Sequence, residues 1–295
     1  MAEEARSAVL AGFDGSEASR EAVRWAAREA SSRGSPLLLV HVLARPFQHS
    51  IQMRIPDQEH VMDKLREAVR GELDSLEEEC RTSAPGLEVR KSIPVGDAAQ
   101  FLVELAGEAD LVVLGGPLVG ARTDRLGVTA AEVIARRAAA PVVVVRGDTG
   151  AAADAPVVVG VDGSDVSTRA IGFAHETASR QGRPLVGVHS WSASAFNPFD
   201  VVDEWDADRS EFREKASEVL AESMAGYRRQ YPDLRVRHVV GPDRPAHLLL
   251  GEAEGASLLV VGSHGRGAVR RTFLGSVSHA VLNQASCPVA VLPAE

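Results

Sequence analysis

Chemistry is most legible near the end of the chain. The apolar run Leu258-Leu259-Val260-Val261 breaks into Gly262-Ser263-His264-Gly265-Arg266-Gly267, and Gly275-Ser276-Val277-Ser278 follows after seven more residues. The run reads as a buried strand, and the segment after the second Gly-Ser reads as a helix. A strand, a small-residue loop and a helix start together make an anion site. Glycines let backbone N–H groups approach phosphate oxygens, and the helix N-terminus adds partial positive charge. Arg266 adds a charged clamp, or is a solvated surface arginine. The loop has no lysine, so it is not a Walker A loop. It stands late in its unit, whereas a dinucleotide fingerprint follows the first strand. A glycine-rich turn without a ligand is the alternative.

Asp162 follows the apolar run Val157-Val158-Val159-Gly160-Val161 and precedes Gly163-Ser164. Its carboxylate can accept hydrogen bonds from ribose hydroxyls or hold a metal carried in with a nucleotide. It can equally close an Asx turn into the next helix. Ser276 fits a phosphate ligand or an ordinary N-cap, and Ser278 is a candidate of the same kind. His264 sits inside the loop and could titrate beside phosphate, but no partner carboxylate or nucleophile stands near it in sequence.

The elements that must position these residues occur twice. Val9-Leu10-Ala11-Gly12-Phe13-Asp14-Gly15-Ser16 matches Val157–Ser164, Gly115 matches Gly262, and Pro141 matches Pro288, at a nearly constant offset. Two tandem domains are expected, 1–147 and 155–295, joined by a small polar linker. Expected strands of the first copy are Ser7–Phe13, Pro36–Leu43, Leu87–Ile93, Asp110–Leu114 and Pro141–Val145. Its expected helices are Glu17–Arg33, Asp57–Arg81, Ala98–Gly107 and Thr129–Ala138. The long second helix carries Val61, Leu65, Val69, Leu73 and Leu76 at helical spacing. Strands of the second copy are expected at Pro156–Val161, Pro184–Ser190, Leu234–Val240, Ser257–Val261 and Pro288–Leu292. This alternation means an α/β fold with a doubly wound parallel sheet in each copy. In such sheets ligands bind at the carboxyl ends of strands, where the order reverses.

The spacing Gly-x2-Gly-x9-Gly-Ser, from Gly262, Gly265, Gly275 and Ser276, resembles the signature of the ATP-binding universal stress protein family. The resemblance covers nearly the whole chain as two tandem domains. It implies five parallel strands per domain in the order 3-2-1-4-5, an adenine nucleotide alpha hydrolase-like fold. It also implies ATP as the ligand, with magnesium carried by the nucleotide. The implied site in the second copy gathers Gly160, Val161, Asp162, Val188, Gly262 to Gly267, and Gly275 to Ser278. Main-chain groups at the end of the second strand, Val188-His189 and Val40-His41, would meet the adenine edge. Their imidazoles read as core histidines. Gly12, Asp14 and Gly115 are the weaker counterparts in the first copy.

The first copy departs from the pattern. At constant offset Leu118 stands for Gly265, Val128 for Gly275, Thr129 for Ser276 and Pro117 for His264, whereas a shift of one residue places Gly127 opposite Gly275. Side chains at both glycine positions would crowd a phosphate, and Pro117 removes a donor. Thr129-Ala130-Ala131-Glu132 is also a capping box, which explains the threonine without a ligand. Unequal sites follow, the second copy binding nucleotide and the first weakly or not at all.

Composition narrows the function classes. The 295 residues carry a net charge of −9 and no Lys/Arg block, which argues against nonspecific nucleic-acid binding. No apolar run approaches the roughly 20 residues that span a bilayer. The N-terminus lacks a signal-peptide pattern, so a cytoplasmic location is expected. Cys80 and Cys287 show no metal-ligand spacing and read as packing thiols. Phe196-Asn197-Pro198-Phe199 and Pro46-Phe47 fit a lid over the adenine side or ordinary loop packing. A homodimer is the expected assembly. The expected function is nucleotide-dependent regulation in a stress response with slow or no hydrolysis. A slow ATP hydrolase using Asp162, and a scaffold that binds nothing, are the alternatives.

Overall fold

The computed structural model describes residues 5–44, 58–116, 139–146, 150–191, 205–265 and 274–294. The expected helix at 129–138, the Phe-bearing loops at 46–47 and 196–199, and most of the first copy's glycine-loop counterpart lie outside these residues, as do Arg266 and Gly267. The chain forms two compact units, 1–147 and 148–295.

In the first unit the strands are β1 (Val9–Gly12), β2 (Leu37–Val40), β3 (Val89–Ser92), β4 (Leu111–Gly115) and β5 (Val142–Val145). They lie in the order β3-β2-β1-β4-β5. Every pair is parallel, with Val9 opposite Leu37 on one side and Leu111 on the other. The second unit repeats this with β6 (Val157–Gly160), β7 (Leu185–Ser190), β8 (Val236–Gly241), β9 (Leu258–Gly262) and β10 (Val289–Leu292). Its order is β8-β7-β6-β9-β10, again parallel throughout. Each sheet therefore has the expected 3-2-1-4-5 order. The inner strands are continuous apolar runs because helices cover both faces. Val9, Leu10, Ala11, Val112, Val113, Val158 and Leu259 have no exposed surface.

The described helices are α1 (Glu17–Arg33), α2 (Gln58–Ser83), α3 (Ala98–Ala106), α4 (Asp165–Gln181), α5 (Trp205–Ala225), α6 (Pro245–Glu252) and α7 (Ser276–Gln284). α1 and α4 are bounded alike. Ser16 and Ser164 cap their N-termini by accepting from the backbone N–H groups of Ser19 and Ser167. Gly34 and Gly182 end them at φ 67 and φ 65, and each donates back to two carbonyls of the last turn. Small residues on the buried face of α1 let it approach the sheet closely. A Cβ at Gly115 would stand 2.6 Å from the backbone of Ala18 and Ser19.

The long helix α2 departs from the uniform buried stripe that its periodicity implies. Leu73 and Leu76 are fully buried, but Val61 and Leu65 are 41% and 43% exposed. Its 26 residues run about 39 Å, whereas the four residues of the edge strand β3 reach only about 13 Å. The N-terminal turns of α2 consequently overrun the sheet. Cys80 and Cys287 are buried, and burial pushes both thiols up to about 11, which suits packing rather than reactivity.

Candidate functional site

The carboxyl ends of β6 and β9 are neighbours in the sheet, and a cavity of about 490 Å³ opens there. This size falls in the range of small-molecule sites. Gly160, Val161, Asp162, Val188, Gly262, His264, Gly265, Gly275, Ser276, Val277 and Ser278 all line it. The segments that the sequence places far apart, 160–162 on one side and 262–265 and 274–278 on the other, therefore meet. Arg266 and Gly267 lie outside the described residues.

Asp162 adopts the Asx turn into α4. Its Oδ1 accepts from the Ser164 backbone N–H at 2.9 Å and the Ser164 hydroxyl at 2.7 Å. Its own N–H donates to Ser167 Oγ at 3.1 Å. The other oxygen, Oδ2, faces Gly265, where an added Cβ would stand 2.5 Å away. The turn and the cavity thus use different oxygens of one carboxylate. Gly262 has a packing reason of its own, since a Cβ there would meet Val166 of α4 at 2.7 Å.

Ser263 does not line the cavity. It is 2% exposed and anchors the loop to the sheet. Its N–H donates to Leu292 O at 2.7 Å, and its carbonyl accepts from Gly275 N at 2.7 Å and Ser278 Oγ at 3.0 Å. Its hydroxyl accepts from Ala294 N at 3.0 Å and lies 3.1 Å from His264 Nδ1. Ser278 is a buried latch whose hydroxyl also reaches Gly275 O at 2.9 Å. Gly275, not Ser276, occupies the N-cap of α7, and among the described residues no side chain caps that helix. Ser276 is the first helical residue. The first-turn N–H groups of α7 lack the side-chain acceptor that Ser164 supplies to α4, which leaves donors suited to an anion.

Val188 lines the cavity at the end of β7, and the adjacent His189 places Nδ1 2.6 Å from Val161 O, so its ring is tied into the strand ends. Sequence reasoning did not single out Ser167, Ser190, Pro245, Leu249, Val261 or Leu274, which also line the cavity. Leu249 closes the floor, 3.2 Å from a Cβ position on Gly160. Ser190 is held by a hydrogen bond from its hydroxyl to Asp243 O. The signal for α6 was the match between its position and that of α3 in the repeat; nothing in its own residues marks a ligand.

In the first unit, Asp14 forms the same turn with Ser16, at 3.0 Å and 2.6 Å, and is exposed. Gly12 and Gly115 end β1 and β4, packed against Leu114 and α1 respectively. Beyond β4 the units diverge. Gly116 takes the place of Ser263, and a Cβ there would stand 2.8 Å from Arg146 Nε. Arg146 is 7% exposed, and burial lowers its pKa. The space that holds the serine network in one unit therefore holds an arginine side chain in the other. Leu118, Val128 and Thr129 lie outside the described residues.

Among the described residues no group of three His, Cys, Asp or Glu side chains could hold a metal ion, and no helix is long and apolar enough to cross a membrane.

Comparison with known proteins agrees with the repeat. The profile described as "Universal stress protein family" matches residues 6–146 and again residues 155–293. A universal stress protein of Mycobacterium tuberculosis (strain H37Rv) is 38% identical over 288 residues, covering 96% of each chain. One from Mycolicibacterium smegmatis is 37% identical over 295 residues, again 96% of each. A solved universal stress protein from Archaeoglobus fulgidus shares the fold, with a TM-score of 0.67 at 18% identity, over 97% of this chain and 98% of that one. With two consecutive family matches and relatives alike over nearly their full length, the chain belongs to the universal stress protein family.

Proposed function

We propose that the second unit binds an adenine nucleotide, ATP with its magnesium, and that the protein is a nucleotide-dependent regulator with slow or no turnover. The observation that carries this reading is the meeting at one cavity of Asp162, Gly265 and the N-terminus of α7, which has no side-chain cap among the described residues. Phosphates suit the α7 donors and the glycine loop, and ribose hydroxyls suit the carboxylate. Val188, Pro245 and Leu249 offer an apolar wall for the base. Asp162 is the one carboxylate among the described lining residues, which fits a magnesium ion brought by the phosphates rather than one held by the protein.

Slow turnover follows from how these groups are engaged. Asp162 Oδ1 accepts two hydrogen bonds in its turn, and His264 Nδ1 lies against Ser263. Neither is placed as a dedicated general base. Bound nucleotide instead shifts a conformational or oligomeric equilibrium, which requires unequal affinity for its two states. A cytoplasmic homodimer is the assembly in which we place this regulation.

Calorimetric titration of ATP with magnesium into the intact chain and into Gly275→Val tests the reading. One nucleotide per chain is expected, lost in the variant while its thermal unfolding transition is retained. Two equivalent tight sites would overturn the inequality of the units. Unchanged binding in the variant would move the nucleotide elsewhere, and no binding in either protein would leave a scaffold.

A further inference from the structure

The second unit contains another cavity, of about 450 Å³, between α4, the end of α5 and the start of β8. It shares no lining residue with the cavity at β6 and β9. Leu234, Val236 and His238 place it toward the amino end of β8, whereas the first cavity gathers at carboxyl strand ends. Met224, Leu234 and Val236 supply apolar wall, and His175, Arg228, Tyr231 and His238 supply the polar groups.

One wall is rigid and aromatic. His175 is 2% exposed, and its Nδ1 lies 2.9 Å from Ile171 O. Its ring stacks on Tyr227 at 4.6 Å between centroids and 19° between planes, and on Tyr231 at 5.9 Å and 27°. Ala27 stands at the corresponding place in α1, so the first unit has no such stack.

The charge pattern of this cavity is an altered copy of one in the first unit. There, Lys91 Nζ lies 2.5 Å from both Asp74 and Glu77, and Arg81 reaches Glu77 at 2.6 Å. In the repeat, Lys91 and Arg81 correspond to His238 and Arg228, while Asp74 and Glu77 correspond to Ala221 and Met224. Arg228 keeps the cation of Arg81, the ammonium of Lys91 becomes an imidazole that burial and Arg228 hold below its ordinary pKa, and both acids are gone. The replacements line the cavity, and no carboxylate does among the described residues. Glu176, the carboxylate whose charge acts on Tyr231, is paired with Arg180 at 2.7 Å. Among the described residues, the Arg228 guanidinium and the His238 imidazole, set beside an apolar, aromatic wall, lack the carboxylates that the first unit places at this position.

We propose that this cavity is a second small-molecule site, for an organic anion with a flat apolar body. Arg228 and His238 take the acid group. Met224, Leu234, Val236 and the tyrosine-stacked His175 take the body.

The test uses the full chain with three acids, benzoate, phenylacetate and 2-naphthoate, each beside the neutral alcohol of the same skeleton. Saturation-transfer NMR and calorimetry read binding. At least one acid is expected to saturate one site per chain, with its alcohol at least about tenfold weaker. Ala221→Asp and Met224→Glu restore the acids of the first unit, and Arg228→Gln removes a base. Each is expected to weaken the acid by about tenfold or more. Because Met224 is buried, Ala221→Asp and Arg228→Gln, both at exposed positions, keep the test independent of folding. Titration of magnesium-ATP into these variants should match the intact chain, which separates this site from the nucleotide reading. No saturable binding of any acid below about 10 mM would overturn the proposal. So would alcohols that bind as tightly, or acid binding unchanged in Ala221→Asp and Arg228→Gln.

Discussion

At the scale of single residues, Gly265 is the cavity position whose missing side chain would touch the candidate site's carboxylate most directly. Its Cα faces Asp162 Oδ2, and the 2.5 Å left for a Cβ is far inside contact distance. Gly265→Ala must push either the carboxylate or the loop away. Nucleotide affinity is expected to fall at least about tenfold, equivalent to about 1.4 kcal/mol. The unfolding midpoint should hardly move, because Gly265 is exposed. Calorimetry alongside denaturant unfolding reads both. Equal affinity in the variant would remove Gly265 from the site. Gly262 cannot serve the same test, since its packing against Val166 confounds stability with binding.

At the scale of elements, the capping serines separate structure from function. Ser16 and Ser164 make the same cap and the same bond to an aspartate. Either change to Ala should destabilise the chain by about 1 kcal/mol. Only Ser164→Ala should also weaken nucleotide, because it frees the carboxylate that borders the cavity. Urea denaturation and nucleotide titration of the two variants give that contrast, and equal nucleotide effects would contradict unequal units. The overrun of α2 predicts a second contrast. Leu73→Ala removes a fully buried side chain and should cost about 2–5 kcal/mol. Leu65→Ala, at 43% exposure, should stay within about 0.5 kcal/mol. A large loss at Leu65 would mean that something covers the N-terminal turns of α2 in solution.

At the scale of the whole molecule, the half-buried His41 and the buried His175 make stability respond to acid. Burial holds the imidazoles of His41 and His175 below their ordinary value of 6.5. The unfolded chain therefore binds these protons first as the pH falls. Their contribution is complete above about 6.5 and is lost as the pH drops through the lowered folded values. The denaturant midpoint should fall between about pH 7.5 and about pH 5.5. His175→Phe keeps a ring against Tyr227 and Tyr231 but cannot titrate, so it should blunt the fall. A midpoint that is flat across this range in the intact chain would refute the assignment.

Much of the fold was legible because its determinants are local. The apolar runs at Val9 and Val157, the serine caps before α1 and α4, and the glycines that end them announce strand, turn and helix within a few residues. Repetition of the pattern then named the α/β alternation. The glycine spacing marked Gly262, Gly265 and Gly275 as loop residues, and the sheet order brought them to Asp162. What tertiary structure decided was division of labour among residues of the same type. Ser263 and Ser278 turned inward as latches while Ser276 stayed at the helix start, a distinction set by β10 and by the Ser263 carbonyl rather than by neighbours in sequence. Ser190, Pro245 and Leu249 joined the cavity only because β7 and α6 pack beside β6. The half-exposed face of α2 depended on how far a short edge strand extends, which helical periodicity does not contain. The cavity beside His175 was equally silent, since the loss of two acids matters only where packing brings together Arg228 and His238.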